Sequence, residues 1–305
     1  MLHILKIELG GIDAMKQIKM YYARMNNMGD LLNEYIVPKV TGCDIKHVEN
    51  VALFDVMGIG SCGGAIWGNK ERTIVDRSKD KIKKCASVFN PKSCAIWGTG
   101  FIEDFAGRNI YLLRKNTQFI ALRGARTKET IEKALGRSIN PVLCDGGILC
   151  SELIEKRDVN KYEVGLIPHF LEIKLADEKG IIEQFSKMYP EGKIIDLRQD
   201  PLKVVQEISE CQYVISSSLH GCIVADSFHI PNIRVRFSGI PGTGYKFDDY
   251  YSGYGLEIPA VLVDTKEMLP TIQQIVSNYA ILPDVVEEKK IEMKRVLNQF
   301  IEANL

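Results

Sequence analysis

The chain has no C-x-x-C pair, no apolar run approaching a membrane span and no excess of either charge, and each absence excludes a class of function. Lys and Arg number 39 and Asp and Glu 39. A dedicated nucleic-acid binder would carry a basic excess along one face, so no nucleic-acid partner is expected. No stretch reaches the roughly 20 apolar residues that a bilayer span requires. The first residues carry Lys6, Glu8, Asp13, Lys16 and Lys19 and lack the apolar region and small-residue cleavage site of a signal peptide, which predicts no secretory leader. The 8 cysteines are scattered, several of them inside apolar runs, where a thiol packs as a small hydrophobe. A reduced, cytoplasmic protein without a zinc site follows. No nucleophile elbow, P-loop lysine motif, H-E-x-x-H or EF-hand loop occurs, and neither His220 nor His229 has metal-ligand spacing or a carboxylate partner readable from sequence. No metal is expected.

What remains is ordinary globular composition, 46% hydrophobic and 26% charged over 305 residues. Short strand-like runs, VALFDV (51–56), CAIWG (94–98), QFIAL (118–122), PVLC (141–144), YEVGLI (162–167), KIIDL (193–197), YVIS (213–216), NIRVRF (232–237) and AVLVD (260–264), alternate with amphipathic stretches. That alternation is the signature of βαβ units and mostly parallel sheets. Helices are expected over 127–135, stopping at Gly136, and from Asp200-Pro201 onward, where a capping residue precedes proline. The polar interval near 155–161 divides the chain into two α/β domains of Rossmann-like type, 1–158 and 159–283. A last helix over 284–305 should pack back on the first domain, with Ile291, Val296, Leu297 and Phe300 on its apolar side.

The richest stretch is Ser216-Ser217-Ser218-Leu219-His220-Gly221, coming directly off YVIS. A strand, three hydroxyls and a helix start present N–H groups to one spot, a natural anion site, with His220 able to donate a hydrogen bond or a proton. Arg123-Gly124-Ala125-Arg126-Thr127 repeats the layout, and arginine forks suit carboxylate or phosphate. Gly58-Ile59-Gly60-Ser61-Cys62-Gly63 formally satisfies a dinucleotide fingerprint with Asp76 further on, but the segment between leaves room for barely two helical turns. The glycines are therefore read as allowing close backbone approach. Asn27 to Asp30, Gly60-Ser61, Trp97 to Gly100 with Thr99, Asp145-Gly146-Gly147 and His169 are further polar or glycine-rich loops at strand ends. Together they are what a cleft between two domains requires.

In order, Asn27-x-Gly29-Asp30, the Gly58–Ser61 loop, Trp97-Gly-Thr-Gly100, Arg123, Asp145, Gly165-x-x-x-His169 and Ser217-Ser-Leu-His-Gly221 through Pro231 resemble the polysaccharide pyruvyl transferase family over about residues 20–250. The resemblance implies a GT-B-like fold of two Rossmann-like domains facing a cleft. It implies transfer of the enolpyruvyl group of phosphoenolpyruvate to a sugar of a cell-surface polysaccharide or its lipid-linked precursor, leaving a pyruvate ketal. No cofactor is implied. It casts His220 as the catalytic residue and Ser217, Ser218, Leu219 and Gly221 as donor-binding. Several members carry arginine where this chain has Ser218, so the clamping charge is expected from Arg123, Arg126 or Lys246. Asn27, Asp30, Gly60, Ser61, Thr99, Asp145 and His169 would line the acceptor side. A lipid-linked acceptor would bring the protein to the inner face of the cytoplasmic membrane, as a peripheral contact. Two alternatives compete: a GT-B-type glycosyltransferase using a nucleotide sugar, and a non-catalytic saccharide-binding member.

Overall fold

Strands and helices alternate through the computed structural model, which describes residues 16–25, 27–66, 90–105, 113–155, 160–237, 243–263 and 269–305. Five strands, β1 (Gln17–Tyr21), β2 (Asp44–His47), β3 (Val56–Met57), β4 (Cys94–Ile96) and β5 (Thr117–Phe119), form one sheet in the order β2-β1-β3-β4-β5. A short pair, β6 (Ala121–Leu122) and β7 (Val142–Leu143), is joined to it by single bridges from Gly60 to Thr99 and from Thr99 to Leu122. Five more, β8 (Tyr162–Ile167), β9 (Lys193–Ile194), β10 (Cys211–Ser216), β11 (Asn232–Phe237) and β12 (Val261–Val263), form a second sheet in the order β12-β11-β10-β8-β9. Every pairing is parallel. Parallel neighbours need crossovers, and the crossovers described here are helical. The chain is thus α/β with two parallel sheets, the class expected from the alternation.

The helices are α1 (Met28–Leu31), α2 (Asn33–Thr41), α3 (Ala125–Leu135), α4 (Ile173–Glu178), α5 (Ile181–Met188), α6 (Pro201–Ser209), α7 (Leu219–Ser227), α8 (Thr243–Ser252), α9 (Ile272–Asn278) and α10 (Pro283–Asn304), with a 3₁₀ turn over Gly146–Glu152. Asp200 caps α6 by accepting the Lys203 N–H at 3.1 Å, and Gly136 closes α3 in the left-handed region at φ 66°. All nine residues of α7 are buried, because LHGCIVADS carries no charged face: it lies between the second sheet and the 3₁₀ turn. The larger apolar core runs from Ile18 and Met20 through Trp97 and Ile148 to Ile223 and on to Met293 and Leu297, so both sheets share it. A second cluster, Val164, Phe185, Ile215 and Val235 among others, covers the other side of the second sheet.

Several expectations need correction. Residues 51–54 turn instead of extending: Asn50 accepts the Ala52 N–H through its side chain at 3.0 Å and the Leu53 N–H through its carbonyl at 2.9 Å, so only Val56–Met57 is strand. QFIAL is two strands broken at Ile120. Helix α3 begins at Ala125, not Thr127, with Gly124 at its N-cap. On α10 the buried stripe is Val286, Lys290, Met293, Leu297, Phe300 and Ile301, while Ile291 is 62% exposed, since it stands one residue off that stripe. The interval near 155–161 falls partly on 156–159, outside the described residues, as does Asp76. No helix among the described residues is long and apolar enough to cross a membrane.

Candidate active site

Loops leaving the carboxyl ends of β1, β3, β8 and β10 converge with α8, and open parallel sheets collect ligands at these ends. The segment after β10 is built by its own hydroxyls. Ser216 Oγ accepts the Ser218 N–H at 3.0 Å and lies 3.1 Å from the Ile167 carbonyl. The Ser217 hydroxyl donates to Glu172 Oε2 at 2.5 Å and accepts the His169 N–H at 2.9 Å. These serines therefore shape the loop and do not point outward as a row of donors. Ser218 stands at the N-cap of α7 and its side chain makes no capping bond, and among the described residues no side chain bonds the first-turn N–H groups at Leu219, His220 and Gly221. Gly221 is required by packing: a Cβ there would stand 2.4 Å from Ser216 Oγ.

His220, second residue of α7, is held between two glycines. A Cβ on Gly29 would stand 1.8 Å from its Nδ1, and one on Gly147 would stand 3.7 Å from its Cδ2. Burial, then the charges of Lys246 and Arg123 and the nearby His169, push its pKa down to about 3, so the imidazole is neutral. Lys246, from α8, lies 3.4 Å from His169 Nε2. Burial and the Arg123 charge bring its pKa down to about 8, against the pull of Asp30 and Glu172. His169 is pushed down to about 4 by burial and by Lys246. Across from Lys246, Asp30 is buried and accepts from Asn27 Nδ2 at 3.1 Å; burial raises it to about 6. Asp145 is fully buried, its Oδ1 accepts the Gly147 N–H at 2.9 Å, and burial raises it to about 7 against Arg123 and that hydrogen bond. The result is a cluster in which two imidazoles are neutral, two carboxyls are held up toward neutrality and the Lys246 ammonium carries charge.

Arg123 lies close enough to act on His220, Lys246 and Asp145, but its fork is engaged. Nε donates to Asp249 Oδ2 at 3.0 Å, Nη1 to Ser61 Oγ at 3.1 Å and Nη2 to the Phe101 carbonyl, in a pair 1% and 0% exposed. The same carboxylate accepts the Thr127 N–H at 2.8 Å and the Thr127 hydroxyl at 2.6 Å, so the start of α3 is already occupied by a carboxylate of this chain. The helix start that repeats the layout in sequence is therefore taken by the chain's own carboxylate, and the start of α7 is left. Arg126 does not join the site: it is 44% exposed and pairs with Asp248 at 3.2 Å, which Arg234 also binds at 2.7 Å. Thr99 is structural, accepting the Cys62 N–H at 3.0 Å and donating to the Gly60 carbonyl at 2.9 Å. Gly60, at φ 116°, gives Asp30 its room, since a Cβ would stand 2.6 Å from Asp30 Oδ1. The Gly58–Gly63 loop is filled from within by Asn33, Asp30 and Phe101 and carries no dinucleotide cradle.

The structure thus brings together His220, Ser217, Ser218, Leu219, Lys246, His169, Asp30, Asn27, Asp145 and, behind them, Arg123 and Ser61. Sequence reasoning missed Glu172, Asp249 and the role of Gly29. Glu172 follows His169 in the same strand-end loop and could have been read with it. Asp249 reaches α3 from 122 residues away and gives no local signal. His229, seen in sequence without a partner, pairs with Glu287 of α10 at 2.9 Å. Among the described residues no group of three or more His, Cys, Asp and Glu side chains could hold a metal ion.

A family model described as polysaccharide pyruvyl transferase matches residues 62–238, which takes in Thr99, Arg123, Asp145, His169, Ser217 and His220. A curated protein, "Uncharacterized protein L143" of Acanthamoeba polyphaga mimivirus, is 35% identical over 131 residues, 41% of this chain and 44% of that one, so the match spans less than half of that relative. Among solved structures, E. coli heptosyltransferase WaaC with ADP is 13% identical at TM-score 0.35, over 95% of this chain and 100% of that one. The glycosyltransferase SnogD from Streptomyces nogalater is 8% identical at TM-score 0.39, over 95% and 99%.

Proposed function

Because this chain belongs to the polysaccharide pyruvyl transferase family, we propose that it transfers the enolpyruvyl group of phosphoenolpyruvate to a saccharide of a cell-surface polysaccharide, or of its lipid-linked precursor, and leaves a pyruvate ketal. The observation that carries this reading is the pairing of a helix start whose N-cap side chain makes no capping bond with one partly buried cation: the first turn of α7, with His220 in it, beside Lys246. Phosphoenolpyruvate carries a carboxylate and a phosphate on a three-carbon frame, and needs N–H or cationic donors for both and an acid near its methylene carbon. Lys246 and the N–H groups of Leu219 and Gly221 would hold the anions, and His220 would protonate the methylene. A sugar hydroxyl then attacks the cationic carbon, phosphate leaves, and a second hydroxyl closes the ketal. The bound anions offset Lys246 and Arg123, whose charges add to burial in keeping His220 neutral. Asn27 and Asp30 would face the acceptor. No cofactor takes part in this scheme.

We place the protein in the cytoplasm, reaching a lipid-linked acceptor at the inner face of the membrane. The lysines of α10 are not available to headgroups, because Lys289 binds the Leu143 and Gly253 carbonyls, Lys290 the Ser227 carbonyl and Lys294 Glu152. The test pairs thermal shift with turnover. Phosphoenolpyruvate at 100 times its dissociation constant should add about 2.7 kcal/mol of stability, where UDP, CMP and NAD add none. His220→Ala should keep most of that shift and lose acceptor-dependent phosphate release. Stabilisation by a nucleotide alone would move the assignment to glycosyl transfer, and undiminished phosphate release in His220→Ala would remove His220 from the chemistry.

A further inference from the structure

Lys246 and the start of α7 belong to different elements, and the turn over residues 169–172, after β8, joins them. Three hydrogen bonds close on one another there. The His169 N–H donates to Ser217 Oγ at 2.9 Å, the Ser217 hydroxyl donates to Glu172 Oε2 at 2.5 Å, and the Glu172 N–H donates to the His169 carbonyl at 2.7 Å. From the same turn, His169 Nε2 stands 3.4 Å from Lys246 Nζ. Ser217 directly precedes Ser218, the N-cap residue of α7. The turn is thus fastened to α8 on one side and to the start of α7 on the other, and Glu172 is buried in it. A neutral amide oxygen could accept the Ser217 hydroxyl as well, and burying a carboxylate costs more than burying an amide unless a cation answers it. The cations that act on Glu172 are Lys246 and the exposed Arg236 of β11, and Lys246 touches the turn itself.

We propose that Glu172 is a positioning residue of the donor site, which through Ser217 and the His169 turn holds Lys246 and the start of α7 in one register. This rests on the pyruvyl-transfer reading above, in which Glu172 itself touches no substrate and acts through Ser217 and Lys246. The groups facing Lys246 are Glu172 and His169 from the turn after β8, Asp30 from α1, Arg123 from the link before α3, His220 from α7 and Arg234 from β11. Burial, Arg123 and Arg234 lower the Lys246 pKa, whereas Asp30 and Glu172 raise it. Those facing Glu172 are Ser217, Lys246, His169 and Arg236; burial raises its pKa and all four hold it down. The Glu172 carboxylate thus keeps more of Lys246 in the ammonium form at a given pH. Without that charge the Lys246 titration moves to lower pH, and donor affinity, which needs the ammonium, is lost earlier as pH rises.

The test compares Glu172→Gln, whose amide oxygen still accepts the Ser217 hydroxyl, with Glu172→Ala, which loses the bond and the charge together. In the ligand-free protein the ¹³C shift of the Lys246 side chain should titrate at about 8 in wild type and about 1 pH unit lower in Glu172→Gln. Calorimetry on that variant should then find phosphoenolpyruvate bound within about twofold of wild type at about pH 6 and about fivefold more weakly at about pH 8. Glu172→Ala should bind it about 10-fold more weakly or worse at both, with KM raised to match and kcat lowered by less than about threefold. A Lys246 titration that does not move in Glu172→Gln overturns the proposal, whether or not Glu172→Ala folds. Wild-type affinity in both variants at both pH values overturns it as well, and so does a loss in Glu172→Gln that is the same at both. Wild type that binds no phosphoenolpyruvate overturns the pyruvyl-transfer reading instead, and the ligand-free titration then still decides for or against Glu172.

Discussion

Helices α3 and α7 begin alike and end up with opposite fates. Each follows a parallel strand through a short link, Arg123-Gly124 after β6 and Ser217-Ser218 after β10, and neither N-cap residue bonds its own helix through a side chain. At α3 the Asp249 carboxylate enters, takes the Thr127 N–H and hydroxyl, and neutralises Arg123 in a fully buried pair. At α7 no carboxylate among the described residues bonds the first turn; Glu172 binds Ser217 one residue short of the N-cap, and Lys246 adds charge of the sign an anion needs. Both Lys246 and Asp249 belong to α8, three residues apart on one side of that helix. One distant helix therefore closes one helix start and, in the proposed function, equips the other. The local sequence at a helix start shows that an anion could bind, and the tertiary partner decides whether the chain supplies the anion itself.

Removing that partner should have the largest effect. Asp249→Ala leaves the Arg123 guanidinium buried without a counter-charge, and chemical denaturation should show a loss of about 3–5 kcal/mol; a loss below about 1 kcal/mol would mean that the pair does not hold α3 to α8. Gly29→Ala tests the other helix start, because its Cβ would overlap the His220 ring. Phosphate release should fall about 100-fold, as a displacement of about 1 Å can cost that much. The accompanying stability change should stay within about 1–3 kcal/mol, as for overpacking elsewhere. Lys290→Met probes the far end of α7, where the buried ammonium binds the Ser227 carbonyl and Glu287; a loss of about 2 kcal/mol with unchanged KM is expected. Arg126→Ala should change neither turnover nor stability by more than about 0.5 kcal/mol, since an exposed pair contributes little. A large rise in KM in that variant would return Arg126 to the donor site.

The second sheet was legible because its strands are rich in β-branched and aromatic residues, as YEVGLI and NIRVRF are. The first was only half legible. β1, QIKMY, and β2, DIKH, alternate polar and apolar residues, with Ile18 and Met20 fully buried, and a search for continuous runs passes over them. His169 and Asp145 stood out as polar residues in strand-end loops, and His220 and Asp30 in segments that follow strands and that the fold makes helix starts, while Lys246 lies inside α8. Asp249 did not, because its partners are more than 120 residues away and its own surroundings, YKFDDYY, carry no local signal of them. The same separation misled the reading of Arg123 and Thr127: side chains that look available in sequence are already bound in the fold.

The most direct test of the open site is the affinity for phosphoenolpyruvate, measured by calorimetry from pH 6.5 to 9.5 on wild type and Lys246→Met, with intervals of about 0.5 unit to resolve a single titration. The ammonium is the form that binds an anion, and its pKa is down to about 8, so wild-type affinity should be full at the acid end and fall as pH rises through that value. Lys246→Met should bind about 10–100-fold more weakly at neutral pH, with no such fall, as expected for the loss of one hydrogen bond to a charged group. Equal affinity in the two proteins at every pH would contradict the account, because the one cation that distinguishes the start of α7 from that of α3 would then play no part in holding the donor.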